Sequence, residues 1–187
     1  MRAFIALNLP KKERQRVHRA ARLLREEDMP VRWVDPDNLH VTLKFLGEVR
    51  PERVGAVEET LARVAQGTPP FPLALAGFGA FPTIRRPRVI WLGVDATPEL
   101  RCLKQDLEWA LADCGFEAET RAFHPHLTLG RADPRDGAGA FRGLDEVVAG
   151  LEFHAEVRMH SVDLMRSHLS RAGARYSVVT NARLTGG

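Results

Sequence analysis

Cysteine is scarce in this chain of 187 residues: there are two, Cys102 and Cys114. Both fall in one stretch with helical periodicity, about 18 Å apart at a rise of 1.5 Å per residue. That separation excludes a disulfide between them, and both are expected as buried thiols in a reducing compartment. No apolar run approaches the roughly 20 residues that a bilayer span requires. The opening stretch from Met1 to Pro10 has an apolar core cut by Asn8, too short for a secretory leader. The cytoplasm is therefore the expected location, with no membrane partner. HExxH and paired CxxC motifs are missing too, and neither a metal nor a cofactor is expected. Low-complexity tracts, heptad arrays and solenoid periods are also lacking.

What is present suffices for a folded domain. With 44% hydrophobic residues, the chain can bury one good core or two small ones, and a single domain of two lobes is expected. Lysine supplies four of the 27 basic residues and arginine the other 23, within a net charge of +3 and a pI of about 9.2. Arginine suits phosphate partners, because its planar fork holds two oxygens at once. The plainer reading of the same excess is coding bias plus a heat-tolerant surface, to which the few Asn, Gln, Cys and Met residues also point, so only particular arginines argue for a ligand. The densest cluster, Arg85-Arg86-Pro87-Arg88, reads as a solvated connection whose role stays open.

One tetrapeptide pattern occurs twice, as His40-Val41-Thr42-Leu43 and His126-Leu127-Thr128-Leu129. With seven histidines, nine threonines and 22 leucines in the chain, chance would give such a second copy in about three or four chains per hundred. Context strengthens it. Counting back 37 residues from each histidine reaches a β-like run, Ala3 to Leu7 and Val89 to Leu92. Each run is followed by a proline, Pro10 or Pro98, that suits a helix start. Apolar residues then recur at helical spacing: Val17, Ala20, Ala21 and Leu24 in one copy, Leu100, Leu103, Leu107, Leu111 and Cys114 in the other. We read two copies of a strand–helix–strand–strand unit, spanning about 3–77 and 89–165, with a C-terminal hairpin to 182.

Between and after the motifs, Pro51 opens a helix with Val54, Val57, Leu61 and Val64 on one face, ending near Gly67. Phe71 to Gly77 reads as a strand, with a turn from Gly77 to Pro82 into the arginine loop. Asp133 to Gly139 reads as a loop. Phe153, Ala155, Val157 and Met159 alternate with polar residues as a half-buried strand, expected to run on through Val162 to Met165. A turn at Ser170 to Gly173 then returns the chain through Tyr176 to Val179 as an antiparallel hairpin. The fold class is α+β, a two-lobed pseudo-symmetric unit with antiparallel sheets, helices on their outer faces and a central cleft.

Alternation along a strand puts His40, Thr42, Lys44 and Leu46 on one face, and Val41, Leu43 and Phe45 on the core face. His126 and Thr128 follow the same rule. Two His/Thr pairs lining one cleft suit attack on a phosphodiester. One imidazole removes a proton from the nucleophile, the other protonates the leaving oxygen, and the hydroxyls bind phosphate oxygens. A metal is the rival at His124-Pro125-His126, although zinc normally takes three or four protein ligands. His18, His154, His160 and His168 are read as structural or solvent-facing, with His154 and His160 on a polar face that could border the cleft.

These residues resemble the two-histidine (2H) phosphoesterase superfamily, and within it the bacterial and archaeal 2′-5′ RNA ligase family, described as RNA 2′,3′-cyclic phosphodiesterases. The matching stretches are Arg2 to Leu7, Leu39 to Gly47, Phe123 to Arg131, and Leu164 to Ser167 followed by Gly173 and Tyr176. The resemblance implies hydrolysis of a terminal 2′,3′-cyclic phosphate on RNA, tRNA fragments included, to a 2′-phosphate, with a possible reverse 2′-5′ ligation and no nucleotide cofactor. By position it implies His40 as proton donor, His126 as proton acceptor, Thr42 and Thr128 on the non-bridging oxygens, and Arg131 binding the substrate phosphate. A monomer is expected. Strict alternation would send Arg131 to the core side, so a bulge at Gly130 or a strand end is expected to re-aim it. The alternatives are a non-catalytic basic RNA-binding module and a 2H phosphodiesterase acting on a small cyclic nucleotide.

Overall fold

The first strand, β1 (Arg2–Asn8), is buried from Ala3 through Leu7, because Ala3, Ile5 and Leu7 enter the main core on one face while Phe4 and Ala6 pack with Met165 and Tyr176 on the other. It pairs antiparallel with β3 (His40–Glu48) and with β8 (Ser161–Ser170), and β8 pairs with β9 (Gly173–Arg183). These four strands make one lobe of the computed structural model, which describes all residues from Met1 to Gly187. The other lobe runs β6 (His126–Ala132), β5 (Pro87–Val94), β4 (Phe71–Pro82), β7 (His154–Met159), again antiparallel throughout. A short β2 (Val31–Trp33) lies on the free flank of β6. The lobes join at β3 and β6, where Val41 pairs with Leu127.

The lobes are not the two halves of the sequence. Strand β4, reached before the second motif, lies in the lobe of β5 and β6, whereas β8, reached after it, lies beside β1. Each copy of the repeat thus lends a strand to the other's lobe. This exchange corrects one expectation: the alternating run from Phe153 to Met165 is two strands in different lobes. The chain crosses between lobes at His160.

Five helices cover one face of the sheet: α1 (Lys11–Ala20), α2 (Arg22–Glu26), α3 (Pro51–Gln66), α4 (Pro98–Asp113) and α5 (Leu144–Gly150). Their apolar stripes, including Val17, Leu24, Val57, Leu61, Leu100, Leu103, Leu107 and Leu111, form a single core with Ile5, Leu7, Val41, Leu43, Ile90, Leu92 and Leu127. The expected helix starts hold: Pro10 precedes α1, Pro98 is the first residue of α4, and the Thr97 hydroxyl accepts from the Leu100 amide at 3.4 Å. Cys102 lies off the α4 stripe and is exposed, while Cys114 is half-buried with Sγ 3.2 Å from Thr60 Oγ1. Neither is the fully buried thiol expected. No turn occurs at Gly77 either. This glycine has φ 79° within a bulge between Leu75 and Phe78, and β4 runs on to Pro82.

A buried ion network anchors β3 to α4. Lys44 Nζ lies 2.6 Å from Glu108 Oε2, and Lys104 Nζ lies 2.5 Å from Glu108 Oε1 and 3.0 Å from Glu119. Lys104 also donates to the Leu43 carbonyl at 2.7 Å, and Lys44 to that of Glu117 at 2.7 Å. Burial alone would raise the Glu108 pKa, but the bonds from Lys104 and Lys44 hold it below its ordinary value. Glu108→Ala would leave the buried Lys44 ammonium without a carboxylate and Lys104 with Glu119 alone, and is expected to cost about 3–5 kcal/mol, read as a lower urea midpoint.

Candidate active site

Both motif strands carry the same irregularity at the same place. On β3, Ala6 pairs with Thr42 but Ile5 with Lys44, so Leu43 is an extra residue; on β6, Trp91 pairs with Thr128 but Ile90 with Gly130, so Leu129 is extra. Each bulge restarts the alternation one residue late. Lys44 therefore turns to the core, 3% exposed, and Phe45 turns out, 68% exposed, the reverse of the uninterrupted alternation. In β6 the corresponding residues are Gly130, buried, and Arg131, exposed. A Cβ on Gly130 would fall 2.5 Å from Val31 and 2.7 Å from the Trp33 ring, so a glycine is needed there. The bulge, one residue before the expected Gly130, brings Arg131 to the face of His126 and Thr128.

That face is the cleft. One residue either side of the Val41–Leu127 pair, His40 faces Thr128 and Thr42 faces His126 across the lobe junction. The four side chains are half-buried. Each imidazole is held identically: His40 Nδ1 lies 2.7 Å from the Asn38 carbonyl oxygen, and His126 Nδ1 lies 2.7 Å from that of His124. A carbonyl only accepts, so each proton sits on Nδ1 and each Nε2 is presented to the cleft. His40 Nε2 lies 3.1 Å from Thr42 Oγ1.

Burial lowers the pKa of both rings below the ordinary 6.5, against the raising effect of the Asn38 and His124 carbonyls. The Arg131 charge lowers both further. One arginine is thus felt by both imidazoles. His126 also acts on His40, so two imidazoles and one cation lie within electrostatic reach of one another. No three His, Cys, Asp or Glu side chains are grouped so that they could hold a metal ion.

The family model described as LigT like Phosphoesterase matches the chain twice, over residues 7–91 and 92–176. The chain belongs to the LigT-like phosphoesterases. An RNA 2′,3′-cyclic phosphodiesterase of Methanothermobacter thermautotrophicus is 36% identical, over 98% of this chain and 99% of that one. The protein of the same name from Thermotoga maritima is 31% identical, over 100% and 97%. Among solved structures, a Thermus thermophilus protein superposes with a TM-score of 0.81 at 28% identity, covering 100% of this chain and 99% of its own. E. coli LigT complexed with 3′-AMP gives 0.75 at 29% identity, covering 98% of each.

In this LigT-like cleft the histidines have aromatic company that alternation did not reveal. Phe4 and Tyr176 lie with ring centroids each 5.0 Å from His40, and Phe81 lies 5.2 Å from His126 and 5.0 Å from Trp91. Phe4 sits in a run buried on both faces, which gives no period to read. Phe81 fell in the stretch read as a turn. Of the remaining histidines, His154 is on the outer strand β7, three strands from β6, so it does not border the motifs. His160 is exposed where the chain crosses between the lobes. His168 Nε2 lies 2.9 Å from Ser177 Oγ on an exposed hairpin, and His18 is half-buried on α1. Arg85, Arg86 and Arg88 are exposed around the β4–β5 connection. No helix is long and apolar enough to cross a membrane.

Proposed function

We propose that this protein hydrolyses the 2′,3′-cyclic phosphate at the end of an RNA to a 2′-phosphate, by two-histidine acid–base catalysis that requires no metal. The observation carrying the reading is the matched presentation of two Nε2 atoms on one cleft face, with Arg131 coupled to both. The relatives' names supply the substrate class. Neutral His126 Nε2 takes a proton from water as the water oxygen bonds to phosphorus. The P–O3′ bond breaks, and protonated His40 gives its Nε2 proton to O3′. Thr42 and Thr128 donate hydrogen bonds to the non-bridging oxygens, and Arg131 balances the charge that builds there. With a 5′-hydroxyl in place of water, the same groups in the same roles form a P–O5′ bond as P–O3′ breaks, His126 taking the hydroxyl proton and His40 protonating O3′, which is a 2′-5′ ligation.

Both half-sites belong to one chain, which supports action as a monomer and a reading of the chain as one bilobal domain with repeats at about 3–77 and 89–165. Two free thiols fit the cytoplasm, where tRNA fragments with cyclic ends would be among the substrates. The test is incubation with an RNA ending in 2′,3′-cyclic phosphate in the presence of EDTA. Formation of a 2′-phosphate end is expected. Binding without turnover would make the protein a basic RNA-binding module, and loss of activity in EDTA would restore the metal reading.

The pH profile follows from the two lowered pKa values. The donor must be protonated, so its lowered pKa moves the descending limb down; the acceptor must be neutral, so its lowered pKa extends the ascending limb down. The kcat/KM optimum is expected below pH 6.5, with a fall of about tenfold per unit above the higher pKa. An optimum above 7 would contradict the free-enzyme electrostatics.

A further inference from the structure

The cleft is pseudo-symmetric in its histidines but not in its charges. Arg131 on β6 lies directly opposite Arg32 on β2, and opposed residues of an antiparallel pair share a face, with Cα atoms about 4.5–5.5 Å apart. The neighbours of Arg32 confirm its direction. Val31 and Trp33 fill the space behind Gly130 and pack against the core, so Arg32 between them points to the cleft side, where it is exposed.

Like charges placed directly opposite each other destabilise a sheet, and here nothing in the protein offsets them. None of the ion pairs includes Arg32 or Arg131. Asp133, two residues beyond Arg131, has its carboxylate oxygens held by Arg135 at 2.7 and 3.0 Å. The other motif strand has no such pair. There the bulge presents Phe45 in place of Arg131, and no strand lies on the flank of β3 as β2 does on β6. Two arginines opposed on one exposed face, neither in an ion pair within the protein, suit two successive phosphates of a chain better than one phosphate alone.

We infer that Arg32 is a second phosphate subsite, holding the phosphodiester on the 5′ side of the terminal nucleotide while Arg131 holds the cyclic phosphate. The inference rests on the cyclic phosphodiesterase reading and deepens it: the site is built for a polynucleotide end, and a mononucleotide leaves Arg32 without a partner.

The test compares two dinucleotides ending in 2′,3′-cyclic phosphate, one with an ordinary phosphodiester linkage and one with an uncharged methylphosphonate linkage. The wild-type protein is expected to favour the charged one by about tenfold in kcat/KM, with a salt dependence steeper by about one unit of log–log slope. Arg32→Ala is expected to bring the ratio to about one, and Arg32→Lys to keep part of it, since the charge remains but the planar fork does not. A preference unchanged in Arg32→Ala, or no preference in the wild type, would overturn the subsite while leaving the hydrolysis reading intact. If the wild-type protein hydrolyses neither dinucleotide, the hydrolysis reading falls first and the subsite falls with it.

Discussion

His40→Ala and His126→Ala are each expected to lower kcat by about 10²–10⁴-fold, the usual worth of a positioned acid or base. The loss should fall on kcat more than on KM, because a proton-transfer group acts chiefly in the transition state. The double variant should be no worse than the poorer single one by more than a small factor, since both groups serve one transition state and their losses do not add. The geometry gives the reason. Each Nδ1 is spent on a backbone carbonyl two residues back, at 2.7 Å in both motifs, leaving one reactive nitrogen per ring. The lobe junction at Val41 and Leu127 puts the two histidines on one face of the sheet, diagonal to each other across adjacent strands. Steady-state rates on a cyclic-phosphate-ended RNA, with folding checked by circular dichroism, read the effect; a single variant with unchanged turnover would refute the paired mechanism.

Arg131→Ala is expected to do two separate things. It removes the cation facing the developing phosphate charge, for which a loss of about 10²–10³-fold in kcat is in scale. It also removes a charge that lowers the pKa of both histidines. Both limbs of the kcat/KM profile should therefore move to higher pH together. The joint displacement separates this role from mere damage to the strand, which would lower the rate without moving the profile. Arg131→Lys should keep the wild-type profile position and recover part of the rate, because charge survives but the planar fork does not.

How far the sequence alone reached depends on which signals have a period. The His/Thr pairs were legible because a two-residue alternation and a duplicated context point to the same residues. The helix stripes of α3 and α4 were legible for a similar reason. Lys44 and Phe45 were assigned to the wrong faces because the bulge at Leu43 leaves no mark in residue type, and only the awkward aim of Arg131 hinted at its counterpart on β6. In the run from Phe153 to Met165 the apolar positions shift from odd to even numbers between Met159 and Val162, which marks the break at His160, but alternation says nothing about which neighbour each strand will pair with. Three-residue β2 and seven-residue α5 are too short to show a period, so Arg32 had no context in which to be noticed. Phe4 and Tyr176, which flank His40, owe their positions to pairing between β1, β8 and β9, strands distant in sequence.

The division of labour between the two histidines is most directly tested with a cyclic substrate whose 3′-bridging oxygen is replaced by sulfur. A thiol, with a pKa near 8.5, leaves as the thiolate without help from an acid. His40→Ala is expected to recover to within about tenfold of the wild-type rate on this substrate, because the lost proton donor is no longer required. His126→Ala should remain as slow as on the oxygen substrate, since activation of water is still missing. Recovery of His126→Ala in place of His40→Ala, or of neither, would contradict that division of labour.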